Sequence, residues 1–284
     1  MPKLSHHAVR DPALETALTR AIWGQTPSVK VGKFPDWGLT PIYAFKRVGS
    51  TMEIAHELAA QDAPQGTLVF AARQEQGRGR LGRTWVSPDG GAYCSIILRP
   101  TRPPVEIPQL SLLTGLATAE AIRELAGVSP SIRWPNDVLL NGLKVAGILV
   151  EARDGAVVVG IGINVTTDPA DLPPDSTCLQ RCQSPSQKVS DTFVVAGEVY
   201  RRMVAWYDVW SQFGFAPVRE ALRPLMGLFG EPIQLSTASE QLRGVASDLD
   251  EQGRLVVRLD SGLLRPFEMG EVALLRNSEF EGRT

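Results

Sequence analysis

Between residues 138 and 165, apolar and β-branched runs are separated by two dipeptides, Asn141-Gly142 and Asp154-Gly155. Tight two-residue hairpin turns need positive φ at both central positions, which these residues tolerate. The pattern predicts a three-stranded antiparallel meander, with Lys144 just past the first turn and Asn164 near the end of the third strand. Upstream, alternation over 42–48 and apolar runs at 67–72 and 93–98 predict three more strands. Leu110, Leu113, Ala117, Ala121 and Leu125 recur at helical spacing before Gly127, which predicts an amphipathic helix over 108–126. A helix is also expected over 11–23, with Asp11 as N-cap and Pro12 at its first position. Another follows Ser50-Thr-Met-Glu53, whose hydroxyl-to-carboxylate spacing is that of a capping box. Val199, Met203, Trp206 and Trp210 form one stripe of a later helix and are expected in the core.

From residue 230 the pattern changes to short strands with close turns, at 232–235, 241–249, 254–259, 264–267 and 271–275. It predicts a small all-β barrel. The chain has 284 residues, more than one core of about 100–200 residues holds. We expect a short extension over 1–40, a large domain over 41–228 and the barrel over 229–277. Residues 166–190, rich in Pro, Ser and Gln, read as a polar loop to which no role is assigned.

The composition, 43% hydrophobic and 21% charged, suits a globular core. A net charge of -2 gives no general attraction to nucleic acid or to an anionic membrane. No stretch approaches the ~20 apolar residues of a membrane span, and the first residues do not read as a signal peptide. Cys94, Cys178 and Cys182 make no disulfide framework, and Cys178 and Cys182 lack a second ligand pair. A reducing cytoplasm is the expected location.

Gln74-Glu-Gln-Gly77-Arg78-Gly79-Arg80-Leu81-Gly82-Arg83-Thr84-Trp85 sets three glycines among three arginines between two predicted strands. Glycine admits positive φ, so successive backbone N–H groups can converge on an anion. Each arginine adds a permanent charge and a planar fork of donors for phosphate or carboxylate. Trp85 offers a flat apolar face to a heterocycle. A solvated basic loop or an RNA-binding Arg-Gly run has similar composition, but such runs repeat, whereas this one occurs once. It is not a Walker loop, which needs Gly-Lys-Ser/Thr after four spacers.

Arg133-Trp134-Pro135-Asn136-Asp137 feeds the meander, which carries Lys144 and then Gly147-Ile-Leu-Val-Glu151. Taken alone, Asn136 and Asp137 also read as ordinary turn residues. Lys144 precedes an apolar strand, which suits a pocket edge. Gly160-Ile-Gly162-Ile-Asn164 lacks the third glycine and the helix of a dinucleotide fingerprint. Glycines within a strand mark instead a close approach by a ligand or a neighbour.

In this order, from residue 42 to 165, these motifs resemble the biotin–protein ligase family. The resemblance implies an α+β fold: a catalytic domain like that of class II aminoacyl-tRNA synthetases, with helices packed on one face of a mixed sheet, and an SH3-like C-terminal β-barrel. It implies that Ser50 and Thr51, with Gln74 beside them, hydrogen-bond the ureido ring of biotin. Gly77, Arg78, Gly79 and Arg80 would close over the ligand, with Gly147 also in the biotin site. Arg78 and Arg80 would neutralise the biotin carboxylate and the ATP phosphates. Arg83 would meet the phosphates, Trp85 would pack on adenine, and Asn136 and Asn164 would contact the nucleotide or its metal. Lys144 would bridge the biotin carboxylate and the α-phosphate. No permanent metal is implied, only Mg²⁺ arriving with ATP near Asn136.

The implied reaction forms biotinyl-5′-AMP and transfers biotin to a lysine of a biotin carboxyl carrier protein, of acetyl-CoA carboxylase or a related carboxylase. A lipoate–protein ligase is the nearest alternative; the Gly-Arg-Gly-Arg loop and the barrel favour biotin. Met52 stands where many members have Asn. Some members carry an N-terminal helix-turn-helix. At most one helix is expected here before the first core strand, so no specific DNA binding is expected. The meander edge could support a homodimer.

Overall fold

In the computed structural model, which describes residues 8–24, 40–184, 187–237, 239–268 and 270–275, helix α1 (Pro12–Trp23) is followed by β1 (Ile42–Phe45), α2 (Thr51–Ala59), β2 (Leu68–Ala71) and β3 (Gly91–Leu98). Then come α3 (Gln109–Ala126), β4 (Ser131–Arg133), β5 (Asp137–Leu140), β6 (Leu143–Arg153) and β7 (Ala156–Asn164). These strands form one seven-stranded sheet in the order β1-β2-β3-β7-β6-β5-β4. β1 and β2 run parallel, and all other neighbours are antiparallel. The predicted meander is β5-β6-β7, with positive φ at Asn141, Gly142, Asp154 and Gly155 as its turns require. His6 and His7, and most of the Gly/Pro-rich stretch after Gly24, lie outside the described residues.

α1 starts as its sequence predicts, with the Asp11 carboxylate accepting from the N–H groups of Ala13 and Leu14. Its last carbonyls are met from elsewhere. The buried Arg201 donates to Ala21 O at 2.7 Å and to Ile22 O at 3.0 Å. Arg201 belongs to α5 (Thr192–Phe213), the long helix that carries the Val199, Met203 and Trp210 core stripe.

The resemblance implies helices on one face of the sheet; they cover both. α1, α3 and α5 bury one face, with Leu68, Phe70, Ile96, Val159 and Ile161 pointing into that core. α2 packs on the other, against Tyr43, Phe45, Val69, Ala71, Ile97 and Val158. The first strands are apolar on both faces, so each face needs cover. The capping box at the start of α2 also fails to form: Ser50 is the N-cap but its side chain makes no cap bond. Its hydroxyl is buried with no partner among the described residues.

The 166–190 stretch holds a short helix, α4 (Leu179–Cys182), and α6 (Ala216–Leu222) follows α5. A second, five-stranded antiparallel sheet closes the chain. Its strands are β8 (Pro232–Ser236), β9 (Gln241–Leu249), β10 (Leu255–Leu259), β11 (Leu264–Phe267) and β12 (Glu271–Leu274), in the order β11-β10-β9-β8-β12. It is tied to the larger unit by Trp134 Nε1, in the β4–β5 turn, which donates to Gly253 O at 3.1 Å, and by Gln109 Nε2 of α3, which donates to Glu251 O at 3.2 Å.

Candidate active site

Strand alternation builds the floor of the site. In β7, Val159, Ile161 and Ile163 enter the helical core, so Gly160 and Gly162 face the other way. Gly147, Leu149 and Glu151 of β6 share that outward face by the same period of two. The strand glycines are there for close approach, as expected. A Cβ on Gly147 would lie 2.8 Å from Cζ3 of Trp85, and one on Gly162 would overlap the Trp85 indole nitrogen. Trp85 thus lies flat over bare backbone. Its N–H is buried and has no partner among the described residues.

The arginine loop folds back on itself. Gly79 N donates to Arg83 O at 2.8 Å and Trp85 N donates to Gly77 O at 2.9 Å. A 3₁₀ turn over Arg80–Gly82 carries Leu81 at φ 56. The amides of Gly79, Arg83 and Trp85 are thus used by the loop's own carbonyls, and the arginine side chains carry charge away from it. Arg78 Nη2 donates to Glu151 Oε1 at 2.7 Å, and Arg80 Nη1 donates to Asn136 Oδ1 at 2.8 Å. Arg83 reaches across to an ion pair with Glu271 of the second sheet. Burial pushes the Arg80 guanidinium below its ordinary value while Asp137 and Glu271 oppose; an arginine stays charged regardless.

Lys144 meets this group from the meander. Its Nζ lies 2.6 Å from Asp137 Oδ1 and 5.1 Å from the centre of the Trp85 ring. Arg133 holds the other oxygen of Asp137 at 2.7 Å. The polar loop after β7 gains a role here, because it clamps the Lys144 backbone. Lys144 N donates to Asp175 O, and Thr177 N donates to Lys144 O, both at 2.9 Å.

Thr51 and Gln74 form the neutral end. The N–H and hydroxyl of Thr51 donate to Gln74 Oε1 at 2.9 and 3.1 Å, Gln74 Nε2 donates to Ser87 Oγ at 2.9 Å, and Ser95 Oγ donates to Thr51 Oγ1 at 2.8 Å. Ser50, with its unpartnered hydroxyl, precedes them. A buried polar atom without a partner needs explaining, and a ligand would satisfy it. Cys94 also lines the cleft; burial pushes its thiol up to about 12, which favours the neutral form.

A cleft reaches from Thr51, Met52 and Gln74 past Trp85 to Arg78, Arg80 and Lys144. A second, larger cleft adjoins it through Arg80, Trp85, Asn136 and Lys144, and Gly270–Ala273 of the second sheet forms its far wall. Three expected residues line neither cleft: Ser50, Gly77 and Asn164. Gly77 packs under the loop, where a Cβ would strike the Trp85 carbonyl. Asn164 is 2% exposed and donates to Thr177 O at 3.1 Å, lining neither cleft. Asn136 Oδ1, expected near a metal, accepts from Arg80. Among the described residues no group of three or more His, Cys, Asp or Glu could hold a metal ion.

Sequence reasoning missed Asp137 as the partner of Lys144, Glu151 as the partner of Arg78, and Glu271. Glu151 could have been found: it lies on the face of Gly147 at strand period. Glu271, nearly two hundred residues from Arg83, left no local signal.

Residues 44–168 match the biotin/lipoate A/B protein ligase family, and residues 228–275 match the biotin protein ligase C-terminal domain. The chain is 36% identical to the bifunctional ligase/repressor BirA of Bacillus subtilis, covering 76% of this chain and 69% of that one. It is 34% identical to the biotin–[acetyl-CoA-carboxylase] ligase of Paracoccus denitrificans, covering 68% of this chain and 85% of that one. The structure of a biotin protein ligase from Aquifex aeolicus in complex with biotin and ATP superposes with a TM-score of 0.72 at 30% identity, over 84% of this chain and 99% of that one.

Proposed function

This chain belongs to the biotin protein ligase family, an ATP-dependent ligase that acts on biotin, and we propose that its two adjoining clefts bring the biotin carboxylate and the α-phosphate together at Lys144. The observation that carries this reading is the meeting of Arg80 and Lys144 with Trp85 at the junction of the clefts, with Arg78 in the smaller one.

Both reactants are anions. Their repulsion, and the cost of holding an in-line approach, make up much of the barrier, so positioning and fixed positive charge are what the site must supply. In this reading biotin lies in the smaller cleft. Its ureido ring meets Ser50, Thr51 and Gln74, its apolar part rests on Met52, Leu149 and Gly160, and its carboxylate points to Lys144. The nucleotide takes the larger cleft, with its phosphates among Arg80, Arg83 and Lys144 and its base against Trp85. The carboxylate oxygen attacks the α-phosphorus and pyrophosphate leaves. A carrier lysine amine then attacks the biotinyl carbonyl carbon and releases AMP.

Mg²⁺ neutralises the leaving pyrophosphate when bound. The donor set fits an ion that arrives on the phosphates rather than one held by the protein, since Asp137 and Asn136 are already engaged by Lys144 and Arg80. Asn164 is read as support for Lys144, through Thr177, rather than as a nucleotide contact. Residues 41–228 are taken as the catalytic unit and 229–277 as a barrel that walls the nucleotide cleft.

Pyrophosphate exchange into ATP, measured with biotin or with lipoate, tests the first step. Mass spectrometry of a carrier domain after incubation with biotin and ATP tests the second. Exchange that needs lipoate and ignores biotin would sink this reading. A gel shift showing tight, sequence-specific complexes would overturn the expected lack of DNA recognition.

A further inference from the structure

Glu151 takes no part in the reaction described above, yet three groups converge on it. Its Oε1 accepts from Arg78 Nη2 at 2.7 Å, and its Oε2 accepts from Arg153 Nη2 at 2.9 Å and lies 3.0 Å from His56 Nε2. The side chains of Glu151 and His56 are 19% and 10% exposed, while Arg153, at 50%, sits on the rim. Glu151 is rooted in β6, an inner strand of the sheet, and His56 in α2. Arg78 projects from a loop.

A long side chain on a loop loses rotamer freedom when it must meet a ligand in one geometry. That loss is smaller if a fixed partner already holds it. Glu151 engages one of the five N–H groups of the guanidinium, so the others stay available to the cleft that Arg78 lines. Neutral His56 can donate to Glu151 and leave the carboxylate charge to Arg78. A protonated His56 would be a further cation on the same carboxylate and would repel Arg78.

We propose that Glu151 is a positioning residue for Arg78, and that His56 loosens this hold when it takes up a proton. This rests on the reading that Arg78 serves the reacting anions. Burial lowers the pKa of His56, the Glu151 hydrogen bond opposes, and the charges of Arg153 and Arg78 add to the lowering. Glu53 and Glu57 lie on its own helix. β2, β3 and β7, against which α2 packs, carry no Asp, Glu, Lys, Arg or His. The titratable groups of β3, Tyr93 and Cys94, are pushed upward by burial and stay neutral.

A double-mutant cycle in biotin-dependent ATP–pyrophosphate exchange tests the positioning. R78A and E151A should each lower kcat/KM for biotin by about tenfold or more, and the double variant should lose no more than R78A alone. Additive losses, or a full rate in E151A while R78A is impaired, overturn the positioning role. A full rate in R78A overturns the underlying role of Arg78 instead. If melting curves show E151A unfolded, E151Q, which keeps the shape and loses the charge, replaces it in the same cycle. For His56, kcat/KM for biotin should fall on acidification more steeply in the wild type than in H56Q. Superimposable profiles overturn the histidine's part.

Discussion

The Lys144 ammonium lies 2.6 Å from a carboxylate oxygen of Asp137, which Arg133 grips by its other oxygen at 2.7 Å. Lys144 is thereby held over the Trp85 ring, where the two clefts meet. Asp137 is 9% exposed and sits where the Arg133–Asp137 hairpin meets β6, so its position follows the sheet rather than a mobile side chain. A cation held by a buried carboxylate is pre-oriented before any ligand binds, which is the condition for electrostatic catalysis.

Replacing Lys144 by Ala removes the charge that the proposal places between the two acids. Deleting one such preorganised group typically costs about 10²–10³ in rate, so K144A should lower biotin-dependent pyrophosphate exchange by that factor. K144R keeps the charge but not the compact ammonium and should recover only part of the rate. A wild-type rate in K144A would remove Lys144 from the mechanism.

Gly162→Ala should act through Trp85. The new methyl would lie 2.4 Å from the indole nitrogen, so ring or strand must shift. Overpacking of this kind costs about 1–3 kcal/mol. The melting temperature should drop and biotin affinity, read by calorimetry, should fall with it. An unchanged melting curve together with unchanged affinity would show that Trp85 does not rest on this strand.

Met52 is 4% exposed and packs among the apolar residues under α2, with its sulfur against Gly160. Met52→Asn, the residue common in the family, places an amide in that setting. Burying an amide without partners costs about 1–3 kcal/mol by mutational data. M52N should therefore melt at a lower temperature, and added biotin should restore part of the loss if the ligand satisfies the amide. Greater stability of M52N without ligand would mean that the amide finds partners within the protein.

The depressed pKa of His56 makes a signed prediction about stability. The unfolded chain takes up a proton near the ordinary histidine value, whereas the folded protein resists until a lower pH. Between those values the unfolded state binds more protons, so stability falls as pH falls through that window. The contribution of His56 is complete above the unfolded value and lost below it. Wild type should thus lose thermal stability from about pH 7 to 5 more steeply than H56L. Parallel declines would show that His56 carries no such linkage.

Much of the fold was legible because its signals are local. The two hairpin dipeptides, the glycine that ends α3, the Asp11-Pro12 start of α1 and the spacing of the barrel strands each act over a few residues. The capping box fails for the opposite reason. Ser50 has the right residue type and the N-cap position, but its buried hydroxyl makes no bond to the helix amides. In the arginine loop, glycines permit an anion nest without requiring it, and the loop's own carbonyls claim the amides of Gly79, Arg83 and Trp85.

The chain by itself determined which charges and glycines exist and on which strands and turns they ride, because periodicity and turn chemistry are properties of neighbouring residues. Only the tertiary structure decided the pairings: Lys144 with Asp137 and the 175–177 backbone, Arg78 with Glu151 and His56, Arg83 with Glu271. These join positions separated by sheet order and by whole domains, and a charged side chain selects its partner by proximity and burial, which no local pattern encodes.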